Sequence, residues 1–178
     1  LDDAKFISRS MNIYEFFDNS YYLNQKKYSK NKKGATANLV VPKLIFQDLN
    51  GFSELTSGGD GEFCYRVNLH GYGFKYNKDL IVGHPARNSL KEHLIKAKRI
   101  GRGTGQFFLS YNNSKRGKIF IVFKNLLLIL FPFHQIKIGI KIYRENHLNF
   151  NNFFKLISLL YKVSFFQRIN IIKTILNL

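Results

Sequence analysis

"ATANLVVPKLIFQDLNG", residues 35–51, is the stretch on which the fold turns. Residues 35–41 are short, apolar and rich in β-formers, and Pro42 stops them, which predicts a buried strand. Pro42 also suits the first turn of a helix, so "PKLIFQDL" predicts a short one closed by Asn50-Gly51. Upstream, residues 11–30 space Ile13, Phe16, Phe17, Tyr21 and Leu23 for an amphipathic helix that the basic "KNKKG" ends. Downstream, residues 60–70 predict a helix with Phe63, Val67 and Leu69 inward and Gly71 as its C-cap. Residues 72–85 alternate like an edge hairpin or a strand ending at His84-Pro85, and Ser89-x-x-Glu92 opens a basic helix over 89–100. Alternating strand and helix imply an α/β layer.

Charge divides the chain. Residues 1–90 hold 12 basic and 9 acidic side chains, whereas residues 91–178 hold 16 and 2, which together make the net +17. A cationic half of this kind seeks a polyanion, either nucleic acid or anionic headgroups. From Lys115 the sequence turns apolar in "KIFIVFKNLLLILFPF". As a helix, residues 119–133 would extend about 22 Å, short of a hydrocarbon core of about 30 Å. In "FFKLISLLYKVSFFQRINIIKTIL" (153–176), Lys155, Lys162 and Lys173 fall on one helical stripe over a broad aromatic and aliphatic face. That pattern describes an in-plane membrane helix, or a helix packed on the domain with solvated lysines. The single cysteine, Cys64, excludes an internal disulfide.

Chemistry concentrates in "TSGGDGEFCYR" (56–66), where paired glycines precede two carboxylates. Asp60 and Glu62 would point about 200° apart on a helix, so they cannot share one metal from its body. Asp60 reads as a capping acid or a functional carboxylate projecting off the helix end. Glu62 reads as a brace, with Arg66 four residues on. Asn38 either lines a cleft or holds the end of its strand. His84 is a turn residue or a ligand, and Arg87 a solvated cation or a phosphate binder.

The ordered set "GATANLVVPKLIFQDLNGFSE" and "SGGDGEFCYRVNLHGYGFKYNKDLIVGHPAR" resembles the second half of a family-2 glycosyltransferase of the glycosyltransferase-A fold, over about 55 residues. The shared order is a small-residue and Asn strand, an apolar helix, a Gly-Gly-acidic motif opening a helix, and a strand running into a histidine. The resemblance implies a partial α/β domain of that type over 1–112, followed by an α-helical, membrane-associated region over 113–178. It implies an inverting transfer of a sugar from a nucleotide-sugar to a glycan or lipid-linked acceptor. Asp60 would be the general base, taking the proton of the attacking hydroxyl. Gly58 and Gly59 would be its hinge, Glu62 and Arg66 its braces, and Asn38 part of the cleft. His84 would meet the metal or the donor diphosphate, and Arg87 the phosphate oxygens.

At Gly59 the chain departs from members that carry the first acid of a pair there. A divalent metal, Mg or Mn, is expected for a complete enzyme, yet the donor-side Asp-x-Asp does not occur in this sequence. With Leu1 in place of an initiating Met, the chain reads as an acceptor-side piece, inactive alone and held at the cytoplasmic face of the cell membrane. The competing reading is a non-enzymatic basic module that binds membrane or nucleic acid. Because the aromatics cluster with Leu and Ile in apolar runs, an anionic membrane surface is expected as partner and nucleic acid is not.

Overall fold

The computed structural model describes residues 11–146 and 148–178, and among them regular structure is helical, with no strand. The α/β domain of glycosyltransferase-A type expected for 1–112 is therefore overturned; the first ten residues of that segment lie outside the described ones. The reason is local. A strand needs a neighbour to accept and donate its backbone hydrogen bonds, and neither 35–41 nor 72–85 has one. Thr36–Asn38 tightens into a 3₁₀ turn instead. Residues 72–85 form an open loop, within which Asn77 Oδ1 accepts from the Asp79 amide (2.9 Å) at a local turn.

Helix α1 (Ile13–Tyr21) starts at a capping box: Asn12 Oδ1 accepts from the Tyr14 and Glu15 amides, and Glu15 accepts from the Asn12 amide. The single helix expected over 11–30 breaks at Leu23, whose φ is +56°, and α2 (Gln25–Lys30) follows. Pro42 precedes α3 (Lys43–Asp48), closed by Asn50 and Gly51, both at positive φ. Helix α4 (Gly59–Leu69) buries Phe63 and Val67, but Leu69 is 61% exposed, because six residues carry it about 240° round from Phe63. Leu49, Phe63 and Val67 form a small core under α3 and α4.

The expected basic helix over 89–100 is the first half of α5 (Leu90–Tyr111), capped by Ser89 Oγ accepting from the Glu92 amide. It continues through "GRGTG" because packing overrides the weak helix propensity of glycine. A Cβ at Gly101 would strike the Gln167 carbonyl, one at Gly103 the Ser57 carbonyl, and one at Gly105 would lie 2.6 Å from Thr174 Cβ. Helix α6 (Lys115–Leu130) stops ahead of Pro132, and α7 (Phe133–Asn146) follows at a 51° bend. Helix α8 (Phe150–Leu176) is the spine, lying along α5, α6 and α7 and touching α1. The main core joins Phe17 of α1, Ala97 of α5, Ile142 of α7 and Leu156, Leu159, Leu160 and Val163 of α8. Burying Phe17 alone is worth about 1.5–3 kcal/mol. The α8 lysine stripe is thus the outer edge of a packed core helix.

Gly103→Ala is expected to destabilise the fold by about 2–3 kcal/mol, since the obstructing atom is backbone. Urea melts of Gly103→Ala beside Arg102→Ala, an outward neighbour, measure this.

Candidate active site

Asp60 sits in the first turn of α4, behind Gly58 in the left-handed conformation (φ +86°). No side chain except Gly tolerates that angle cheaply, and it turns the chain into the helix. The Asp60 carboxylate is pinned at both ends. Oδ2 accepts from the Thr36 amide (3.0 Å) and Oδ1 from the Gly61 amide (2.8 Å). Each oxygen keeps a further lone pair for a proton or a donor. Gly59 is less a hinge than a close contact, because a Cβ there would lie 3.1 Å from the Ser53 carbonyl.

Glu62 points the other way, into the protein. It is buried and receives Arg66 Nε (2.7 Å) and NH2 (2.8 Å), the Ser53 hydroxyl and the Tyr111 hydroxyl (2.7 Å). Arg66 in turn donates to the carbonyls of Leu49 and Gly51, tying α4 to the turn after α3. The Arg66 hydrogen bond, assisted by Ser53 and Tyr111, outweighs burial and holds the Glu62 carboxyl down at about 2 against its ordinary 4.5. A lowered folded-state value gives stability that is complete above pH 4.5 and lost as pH falls through 2. At 1.36 kcal/mol per unit, this is roughly 3 kcal/mol. Glu62→Gln should therefore flatten the acid limb of a stability-against-pH curve between pH 4.5 and 2.

A second buried carboxylate, Asp18 of α1, organises the neighbouring wall. Arg87 reaches it through NH1 (3.2 Å to each oxygen) and its amide (3.2 Å), and Lys96 Nζ lies 3.5 Å away. Lys96 Nζ also sits 3.2 Å over the Tyr22 ring, which the break after α1 turns inward. Burial pushes the Lys96 amine down to about 8, Asp18 partly opposing it. His93 Nε2 is 3.1 Å from the Tyr14 carbonyl, and burial lowers its ring below the usual histidine value. It is neutral near pH 7, so Arg87 and Lys96 are the counter-charges of Asp18.

These pieces share one open cavity of about 710 Å³. Asp60, Gly58, Gly59, His84 and Arg87 all line it, joined by Lys33, Lys96 and Arg99. Its wall thus carries four basic side chains, all charged near pH 7, and one carboxylate. Asn38 stands outside the lining; its amide donates to the Leu80 carbonyl (2.8 Å) and tethers the loop that leads to His84. Glu62 and Arg66 also lie outside it. Sequence reasoning missed Asp18, Lys33, Lys96 and Arg99. The available signals were an acid beside Phe16-Phe17 and a lysine sharing the inward face of α5 with His93 and Ala97.

Among the described residues no three His, Cys, Asp or Glu side chains converge. Asp60 and His84 are the carboxylate and imidazole that line the cavity, beside its four basic side chains.

No family model, no curated protein and no solved structure matches the chain.

Proposed function

We propose that this cavity carries out inverting sugar transfer from a nucleotide-sugar to a hydroxyl acceptor. The observation that supports this reading is the meeting of Asp60 with Lys33, Arg87, Lys96 and Arg99 in one cavity. Displacement at an anomeric carbon needs a base for the incoming hydroxyl and positive charge for the departing diphosphate. The acceptor oxygen bonds to the anomeric carbon as its proton passes to the Asp60 carboxylate. The bond from that carbon to the diphosphate oxygen breaks, and its electron pair leaves on the nucleoside diphosphate, facing the cations. Asp18 is a positioning residue that keeps Arg87 and Lys96 together at the wall. The proposal uses neither a sheet nor a metal.

Calorimetric titration with uridine, guanosine and thymidine diphosphates tests it. At least one should bind, and Arg99→Ala should weaken it by about tenfold, the worth of one charge-assisted contact. Affinity should fall as pH rises through about 8, where Lys96 loses its proton, and Lys96→Arg should remove that step. Absence of binding by all three, or equal binding by Arg99→Ala, overturns the reading.

A further inference from the structure

Helix α6 is inverted relative to a helix made for water, and the first turns of α7 share the pattern. On α6 the buried residue is Asn125, 3% exposed, while Ile119, Phe123, Leu130 and Phe120 (64%) face outward. On α7, Gln135 is buried in the first turn, with Gly139 and Ile142 further along the inward face, while Phe133 (72%), Ile136 and Ile140 are exposed. The inward polar groups have partners on α8. Arg168 donates to Asn125 Oδ1 (3.2 Å) and to Ser164 Oγ (3.1 Å), and Gln135 donates to Ser164 Oγ (2.6 Å). A helix in water hides its apolar residues and shows its polar ones; polar inside and apolar outside is the arrangement lipid favours.

We propose that α6–α7 is a bent arm whose outer face beds into the headgroup–acyl boundary of an anionic bilayer, lying in its plane. The arm carries seven basic side chains (Lys115, Arg116, Lys118, Lys124, Lys137, Lys141, Arg144) against one acid, Glu145. A second copy on this face would set seven cations against seven, whereas anionic headgroups neutralise them at about 1 kcal/mol for each residue near the surface. Geometry favours the plane over a crossing. No single helix among the described residues is long and apolar enough to span, and the two arms, about 24 and 21 Å long, meet at a 51° bend. The arm runs antiparallel along α8, as the pairs Asn125–Arg168, Gln135–Ser164 and Tyr143–Phe153 record. A crossing would drag α8 into the hydrocarbon with the exposed Lys155 and Lys162 on its open face. The inference is independent of sugar transfer.

The chain contains no tryptophan, so one introduced Trp is an unambiguous reporter. Phe120→Trp and Phe133→Trp should shift to the blue and be quenched by brominated acyl chains on vesicles containing phosphatidylglycerol. Pure phosphatidylcholine should give a much weaker response. Leu44→Trp, on the exposed side of α3, should respond to neither. The double variant Phe120→Asp/Phe133→Asp should lose sedimentation with the anionic vesicles by about tenfold or more while its circular dichroism is unchanged. Unchanged reporter emission on anionic vesicles overturns the proposal. So does a lipid-free blue shift at the mass of a dimer, or undiminished vesicle binding by the double variant.

Discussion

Asp60→Asn is expected to slow sugar transfer by at least about 100-fold while leaving nucleoside diphosphate affinity within a factor of a few. The amide keeps the shape of the carboxylate and can still accept from one of the two amides that pin it, Thr36 and Gly61. In the proposed reaction, what it would lose is the capacity to take the acceptor proton as the new bond forms. Binding of the leaving group would rest on the cations, which the substitution does not touch. Single-turnover transfer and calorimetry, run on the same protein, separate the two effects. Near-normal turnover would remove Asp60 from the base role, whereas equal loss of binding and turnover would mark it as structural.

Asp18→Asn is the second large effect, and it falls on stability. Asp18 is fully buried and answers both Arg87 and Lys96. Removing one member of a buried charge cluster costs about 3–5 kcal/mol, because the remaining charges stay desolvated without compensation. Lys96→Met in the Asp18→Asn background takes away one orphaned charge and should recover part of the loss. Urea melts of wild type, both single variants and the double variant form a cycle whose coupling energy isolates the pair. Stability of Asp18→Asn within about 0.5 kcal/mol of wild type would place the organising charge elsewhere.

Helix ends were the most legible feature of the sequence, because capping is local chemistry. Ser89 with Glu92, Pro42, Asn50-Gly51 and Gly71 each act within a few residues of themselves, and each marks a boundary in the structure. Strands were illegible for the opposite reason. The pattern over 35–41 and 72–85 specifies a face but not a partner, and without a partner these residues take a 3₁₀ turn and an open loop. The lysine stripe of 153–176 fits a membrane helix and a packed one equally, since only the neighbours on the opposite face distinguish them. That face holds Leu156, Leu159, Leu160 and Val163 against α1, α5 and α7. In the candidate site, residues near the glycine motif and the His84 loop could be singled out from the chain alone. Asp18 and Lys96, 78 residues apart, are joined by folding and carry no local signature.

The alternating glycines of α5 bear on mutational tolerance. Gly101 and Gly105 leave no room against α8, and Gly103 leaves none against the Ser57 carbonyl, on the segment leading into α4. Successive glycines two residues apart lie on opposite sides of a helix, so this turn is clamped from both directions and has one permitted thickness. A saturation library screened for folding should accept almost any residue at Arg102 and almost none at the three glycines. A genetic bottleneck would then fall on three residues with no side chain at all.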